Sequence, residues 1–131
     1  MSSRDPRTIL VVDDEEAVRS FAAVILRREG FHLLEAVDGI DALDKAERQG
    51  PIDLLLTDIR MPRMDGIALA RAIGKSHPET PVIYISGYPF GSDPANSASG
   101  YCVCLPKPFT RRALVDAVRK CLPAAGAAGD C

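Results

Sequence analysis

The stretch that decides the fold is residues 52–62, IDLLLTDIRMP. Residues 54–56 form an apolar run without polar alternation, which is the pattern of a strand buried on both faces. The run ends at Thr57-Asp58, and Pro62, which has no backbone N–H, keeps the strand from continuing. Asp58 is therefore predicted to lie where a central strand passes into a loop. Ligands bind at this edge of an open α/β sheet, although an aspartate there can also simply cap a turn.

Strand-type and helix-type patterns alternate five times along the chain. Apolar runs at residues 8–12, 31–36, 81–85 and 101–105 accompany the central run. This alternation predicts an α/β fold, a doubly wound five-stranded parallel sheet with right-handed crossovers. The ambiguous segment is residues 88–99, because two prolines and a glycine there oppose a regular helix.

The predicted helices each carry apolar residues at a spacing that would place them on one face. The residues expected to face the core are Val18, Phe21, Ala22, Ile25 and Leu26, then Ile40, Leu43 and Ala46, then Ile67, Ala70 and Ile73, and finally Leu114, Val115, Val118 and Leu122. The domain is predicted to span residues 8–122. A flexible arm at residues 1–7 precedes it, and a disordered Ala/Gly tail at residues 123–131 follows it.

Composition narrows the class of protein. The chain has 131 residues, enough for one domain with a core, and a formal net charge of −2. Without a basic surplus, direct nucleic-acid binding is not expected. The N-terminus lacks the apolar core of a signal peptide, and no apolar run approaches membrane-spanning length. We therefore expect a soluble, cytoplasmic protein without membrane contact. The cysteines do not show the C-x-x-C spacing that would indicate a metal site. Buried thiols are therefore expected at Cys102, Cys104 and Cys121.

Four sets of polar residues follow predicted strands at their carboxyl ends: Asp13-Asp14, Asp58, Ser86 and Lys107. Such ends share one edge of a parallel sheet. Carboxylates held close repel one another and raise each other's pKa, which a hard cation such as Mg²⁺ relieves. A carboxylate nucleophile, a metal, an ammonium and a hydroxyl together form a site that could accept a phosphoryl group. Each residue alone has an ordinary structural explanation, but four at matching strand ends favour one site.

At these residues the chain resembles the receiver domain of bacterial two-component response regulators, which has a flavodoxin-like (βα)5 fold. The matching pieces are VVDDE at 11–15, DIRMP at 58–62, MDG at 64–66, ISG at 85–87 and KPF at 107–109. The resemblance covers roughly residues 8–122. Each piece alone would be weak, whereas their combination in this order is highly specific.

The resemblance implies a role for each matched residue. Asp58 would be the phosphoacceptor, and Ser86 and Lys107 would contact the phosphoryl group. Asp14 and Asp58 would bind Mg²⁺ directly, Asp13 through water, and Arg60 through its main-chain carbonyl. The donor would be a histidine kinase or phosphotransfer protein, and the activity would be self-catalysed phosphoryl acceptance with slow autodephosphorylation rather than enzyme turnover. The downstream effector is not identified by the sequence, and a second copy of the chain is a further candidate partner.

Two departures from the family pattern concern the switch region, for which the resemblance suggests Ser86, Tyr88, Tyr101 and Cys104. Cys104 stands where the family usually has an aromatic residue three positions before the lysine, and Tyr101 lies three positions further back. The family's fourth helix would fall on the proline-containing segment. We expect residues 88–100 to be the least ordered part of the domain and phosphorylation to order them.

Three alternatives stay open at this point. A degenerate receiver could bind partners without phosphorylation, although the complete set of acidic, hydroxyl and lysine residues argues against it. An aspartyl-nucleophile phosphatase of the haloacid dehalogenase type would need a second aspartate two residues after the first, where Arg60 stands. Flavodoxin-like cofactor binding is weaker still, because no glycine-rich phosphate loop follows the first strand.

Overall fold

The computed structural model describes residues 7–87 and 101–122, except for the side chains of Tyr101 and Cys102. The elements in chain order are β1 (Thr8–Val12), α1 (Glu16–Arg28), β2 (His32–Ala36), α2 (Gly39–Gln49), β3 (Leu54–Asp58), α3 (Gly66–Ser76), β4 (Val82–Ser86), β5 (Tyr101–Pro106) and α4 (Arg111–Cys121). The expectations for residues 1–6, 88–100 and 123–131 lie outside the described residues and stay predictions.

The five strands form one parallel sheet in the order β2-β1-β3-β4-β5. This confirms the predicted α/β class and places β3 at the centre, between β1 and β4. The register pairs Val12 with Thr57, Asp58 with Ile85 and Ser86 with Pro106. Because the strands run in one direction and end at nearly the same level, their carboxyl ends form a single edge.

The core consists of two apolar layers, one on each face of the sheet. One layer joins α1 and α4 to residues such as Leu56 and Ile83, and the other joins α2 and α3 to residues such as Leu55 and Tyr84. These four strand side chains have no exposed surface. Fully burying one such side chain contributes about 1.5–3 kcal/mol before the entropy of ordering is counted. The continuous apolar run of β3 is thus explained by contacts on both faces.

Two of the predicted core residues are in fact exposed. Phe21 of α1 and Ile40 of α2 expose 45% and 46% of their surfaces. Alanines take the places closest to the sheet, with Ala22 and Ala23 buried in α1 and Ala42 buried in α2. Small residues let a helix approach the sheet closely, and the bulkier Phe21 and Ile40 lie outside the buried part of the apolar face. Helical spacing alone does not reveal which positions of an apolar face are buried.

The helix starts differ in how their first N–H groups are satisfied. Asp38, Asp65 and Thr110 cap α2, α3 and α4 by accepting hydrogen bonds from backbone N–H groups three residues later. Glu15 occupies the corresponding position before α1, but its side chain makes no such bond. Glutamate is a poor N-cap residue. The carboxylate of Glu15 is therefore available for another contact.

The cysteine expectation holds in one case and fails in another. Cys104 is partly buried and takes no part in a disulfide. Cys121 is disulfide-bonded, so the prediction of a buried thiol is wrong for this residue. Within the described part of the chain, no helix has the length and apolar character needed to cross a membrane.

Candidate functional site

The ends of β1 and β3 bring together three carboxylates. Asp13 and Asp14 follow β1, and Asp58 is the last residue of β3, its neighbour in the sheet. One oxygen from each of the three carboxylates lies within 4.8 Å of the others. Asp13 and Asp58 are buried, whereas Asp14 is exposed. The residues that the sequence analysis assigned to one site are therefore adjacent, with an opening to solvent on the side of Asp14.

The environment of Asp13 is only partly polar. Its Oδ1 accepts a hydrogen bond of 2.9 Å from the backbone N–H of Glu15. Its Oδ2 is buried without a hydrogen-bond partner and lies 3.4 Å from the Lys107 Nζ. The guanidinium of Arg19 donates to the main-chain carbonyl of Asp13 at 2.9 Å and so holds the end of β1 in place. The carboxylate itself is left with fewer donors than an ionised group normally receives.

Both buried carboxylates have raised pKa values. Burial is the main cause that raises the pKa of Asp13 to about 6. The backbone hydrogen bond from Glu15 lowers this pKa, and the nearby charge of Asp58 raises it further. Burial is also the main cause that raises the pKa of Asp58, although Lys107 opposes it. A raised carboxyl pKa means that the surroundings disfavour the negative charge. A cation placed between these oxygens would relieve that penalty.

Lys107 is the positive group of the site. Its Nζ lies 2.7 Å from the Glu15 Oε1, 3.3 Å from the Asp58 Oδ2 and 3.4 Å from the Asp13 Oδ2. Burial alone would lower the pKa of Lys107, but the hydrogen bond with Glu15 and the charges of Asp13 and Asp58 outweigh it and raise the pKa above its ordinary value. The lysine is thus held as an ammonium, and the carboxylates of Glu15, Asp58 and Asp13 all lie close to it.

Ser86 and Arg60 adjoin this cluster through the backbone. Ser86 ends β4 next to Asp58 of β3 and is buried, and its carbonyl accepts a 2.8 Å hydrogen bond from the backbone N–H of Lys107. This bond joins the ends of β4 and β5. The backbone N–H of Arg60 donates to the Asp58 carboxylate, and the Arg60 side chain is exposed. Two residues of the predicted set therefore adjoin the site, Ser86 from the end of β4 and Arg60 from the loop after β3.

The loop from β3 to α3 folds back onto the strand that it leaves. The backbone N–H of Gly66 donates to the carbonyl of Ile59 at 2.8 Å. A Cβ at position 66 would lie only 2.1 Å from the carbonyl oxygen of Asp58, so only glycine fits there. Arg63 of the same loop has a φ of +72° and forms an ion pair with Asp38, the cap of α2. The loop that carries Arg60 is therefore fixed at both ends.

The structure also shows contributions that the sequence analysis missed. Glu15, which is not among the predicted site residues, makes the shortest contact to Lys107. Tyr84 pairs in register with Cys104 across β4 and β5, and both residues belong to the same apolar layer. A buried ring thus lies beside the cysteine, but on the neighbouring strand. Of the other expected switch residues, Tyr88 lies outside the described residues and the Tyr101 side chain is not described. The sequence did offer a signal for the ring beside Cys104, because Tyr84 is the single aromatic residue of β4.

The donor set fits a hard divalent cation. Carboxylate oxygens are the ligands that such ions prefer, and three of them converge here. The buried Asp13 Oδ2, which lacks a hydrogen-bond partner, supplies an independent reason to expect a positive ligand. The described part of the chain has no other group of three or more metal-binding side chains arranged in this way.

Comparison with known proteins identifies the family. The sequence model of the response regulator receiver domain matches residues 9–119. The chain therefore belongs to the receiver domain family of two-component response regulators. It is 35% identical over 120 residues to the response regulator receiver protein CpdR of Brucella abortus, covering 91% of this chain and 99% of CpdR. The match thus covers most of this chain and nearly all of CpdR.

A relative and a solved structure with different contexts match the same region. The chain is 38% identical over 120 residues to the sensor kinase CckA of Brucella abortus. This match covers 88% of the chain but only 12% of the kinase. A chain of the CheX–CheY–BeF3–Mg²⁺ complex from Borrelia burgdorferi superposes with a TM-score of 0.80 at 30% identity, covering 87% of each chain. The receiver fold is therefore shared by small proteins and by parts of much longer ones.

Proposed function

We propose that the protein is a phosphorylation-switched receiver that accepts a phosphoryl group on Asp58 in a Mg²⁺-dependent reaction. The observation that carries this proposal is the placement of Asp58. Its carboxylate lies at the end of the central strand, within 4.8 Å of the Asp13 and Asp14 oxygens and 3.3 Å from the Lys107 Nζ. A nucleophile, acidic metal ligands and a phosphate-binding cation thus meet at one point.

The chemistry is the transfer of a phosphoryl group between two nucleophiles. An Asp58 oxygen would attack the phosphorus, forming an O–P bond while the N–P bond of a donor phosphohistidine breaks and the imidazole leaves and takes up a proton. The product is an acyl phosphate on Asp58. Hydrolysis is a separate step, in which water would attack the phosphorus and the P–O bond to Asp58 would break, so that the carboxylate is restored and inorganic phosphate is released. Because Asp58 is buried at the end of a rigid strand, its reacting oxygen is positioned before the donor arrives.

The neighbouring side chains would stabilise the transferred group. Lys107 would contact one phosphoryl oxygen with its ammonium, and Ser86 would donate from its hydroxyl, as the resemblance to the family implies. Asp13, Asp14, Asp58 and the Arg60 carbonyl would hold Mg²⁺. When bound, Mg²⁺ neutralises charge on the phosphoryl oxygens and so reduces their repulsion from the carboxylates. The raised pKa values of Asp13 and Asp58 mean that their negative charges are unfavourable without a cation, and bound Mg²⁺ would remove this penalty.

The donor is proposed to be a histidine kinase or a histidine phosphotransfer protein in the cytoplasm. The match to part of the sensor kinase CckA supports a place in a phosphorelay, and the match to a chain of a CheX–CheY–BeF3–Mg²⁺ complex supports a metal-dependent phosphorylated state. The output is transmitted to an effector protein or domain. The phosphatase alternative receives no support, since the exposed Arg60 stands where that chemistry needs a second acid.

The decisive experiment measures phosphorylation by acetyl phosphate with Mg²⁺, together with binding of beryllofluoride, an analogue of the phosphoryl group. The wild type should gain one phosphoryl group by intact-protein mass spectrometry, and Asp58→Asn should gain none. Asp44→Asn is a matched control, because Asp44 is an exposed residue of α2 that pairs with Arg48 on the same helix and does not belong to the acidic cluster.

The control variant should be labelled like the wild type. Stoichiometric labelling of Asp58→Asn would show that another residue accepts the phosphoryl group. A folded wild type that neither becomes phosphorylated nor binds beryllofluoride would instead support a degenerate receiver that acts through protein contacts alone.

A further inference from the structure

The ammonium of Lys107 is closest to a carboxylate outside the acidic cluster. Its 2.7 Å contact with Glu15 is within the range of a strong charge-assisted hydrogen bond, whereas its distances to Asp58 and Asp13 are 3.3 and 3.4 Å. The lysine expected to bind the phosphoryl group is therefore engaged most closely by Glu15 in this unmodified state.

Glu15 is well placed for this contact. It lies between β1 and α1, and its backbone N–H donates to Asp13, which ties the residue to the acidic cluster. Its side chain makes no capping bond to α1, so it is free to reach Lys107, which follows β5. The Glu15 side chain is 61% exposed, and its carboxylate therefore keeps access to water. An ion pair of this kind can open without leaving a buried charge unsatisfied.

A phosphoryl group on Asp58 would compete with Glu15 for the same ammonium. An incoming phosphodonor is also anionic, and the negative charge of Glu15 opposes its approach. Both effects act against transfer. We propose that Glu15 is a positioning residue, which restrains the Lys107 ammonium in the unmodified site and thereby slows phosphoryl acceptance. This inference rests on the proposed function, because it assigns the restraint to a reaction at Asp58.

The test compares Glu15→Gln with the control Glu16→Gln. Glu16 is the next residue, is exposed, and makes no hydrogen bond or ion pair with Lys107 within the described structure. Both changes remove one negative charge. Glu15→Gln should raise the acetyl phosphate acceptance rate and the beryllofluoride affinity by roughly two- to fivefold, the range expected for the loss of an exposed ion pair. Glu16→Gln should stay near the wild type in both measurements.

A double-mutant cycle with Lys107→Met then separates restraint of the lysine from a general effect of charge. If Glu15 acts through Lys107, the gain from Glu15→Gln disappears in the Lys107→Met background. A gain that persists without the lysine, or an equal gain from Glu16→Gln, would overturn the positioning role.

A measurement on the unmodified protein keeps the two proposals apart. The Lys107 ammonium should give a slowly exchanging signal in proton–nitrogen correlation spectra of the wild type and of Glu16→Gln, and this signal should broaden or vanish in Glu15→Gln. Equal signals in all three proteins would overturn the restraint, whatever phosphorylation shows. If the signal changes as expected but the wild type binds no beryllofluoride, the ion pair exists while the proposed function, and the role of Glu15 in acceptance, are wrong.

Discussion

Asp13 and Asp38 are two buried carboxylates that follow neighbouring strands, yet their pKa values are shifted in opposite directions. Asp38 follows β2, accepts a 2.8 Å hydrogen bond from the backbone N–H of Asp41 and pairs with Arg63. The Asp41 bond is the largest cause of its lowered pKa. Asp13 follows β1, and its burial outweighs its single backbone hydrogen bond and raises its pKa to about 6.

The comparison shows that burial alone does not distinguish a structural carboxylate from a functional one. What differs is the supply of donors. Asp38 accepts a hydrogen bond from the first turn of α2 and pairs with Arg63, so its charge is satisfied within the chain. Asp13 keeps one buried oxygen without a hydrogen-bond partner; the Lys107 Nζ lies 3.4 Å from it, and two further carboxylates lie beside it. A charge that the fold leaves undersatisfied is suited to a ligand of opposite charge from outside, such as a cation.

The largest expected effect is on the pH dependence of metal-free stability. The pKa of Asp13 is about 6 in the folded state and 3.8 ordinarily, so the folded state binds more protons between these values. Stability from this group is present in full below the unfolded pKa and is lost as pH rises through about 6, with a change of about 3 kcal/mol at most. Urea unfolding in EDTA should show this fall in the wild type and a flatter profile in Asp13→Asn. Parallel profiles would contradict the assignment.

Mg²⁺ should stabilise the protein through the acidic cluster that contains Asp13, and not through carboxylates outside it. Mg²⁺ at a hundredfold excess over its dissociation constant should raise the unfolding free energy of the wild type by about 2.7 kcal/mol. Asp14→Ala should lose this gain while keeping or raising the melting temperature in EDTA, because Asp14 is one of the charges that raise the pKa of Asp58. Asp44→Ala serves as the control and should keep the full gain. A less stable Asp14→Ala that still binds Mg²⁺ would contradict both expectations.

The smallest effect is expected at Asp38, and it should not depend on the metal. Asp38→Ala removes the cap of α2 and should cost about 1 kcal/mol at neutral pH, whereas Asp38→Asn keeps a capping oxygen and should cost less. Because the folded pKa is lowered, the stability from the charge is present above the ordinary value of 3.8 and is lost as pH falls through the folded value. Denaturant unfolding with and without Mg²⁺ measures both effects. A Mg²⁺-dependent loss would place Asp38 in the site.

Several features were predictable from the sequence because they depend on short segments of chain. The apolar run of residues 54–56 predicted a doubly covered central strand, and all three residues are fully buried. The predicted first strand agrees with β1, Thr8–Val12, residue for residue. Because parallel strands end together, the aspartates at 13, 14 and 58 and the lysine at 107 were expected at one edge. In the structure one oxygen from each aspartate lies within 4.8 Å of the others, and the Lys107 Nζ lies 3.3 Å from Asp58 and 3.4 Å from Asp13.

Other features depended on the distances between segments and could not be read in advance. Helical spacing placed Phe21 in the core, but alanines lie closest to the sheet and Phe21 instead packs against Phe109, with ring centroids 5.8 Å apart. Tyr101 was the candidate ring near Cys104 because it is close to that cysteine in sequence. Among the described side chains, Tyr84 on the neighbouring strand pairs with Cys104 in register.

The sequence by itself therefore determined the order of elements, the class of the sheet and the edge on which the acidic residues and the lysine meet, since each depends on local periodicity and on the direction of parallel strands. Only the tertiary structure decided how each charge at that edge is balanced. Glu15 and Lys107 are 92 residues apart, and Asp38 and Arg63 are 25 apart. Whether a buried carboxylate is satisfied within the chain or left for a cation depends on such contacts, because charges interact through space at distances that sequence spacing does not specify.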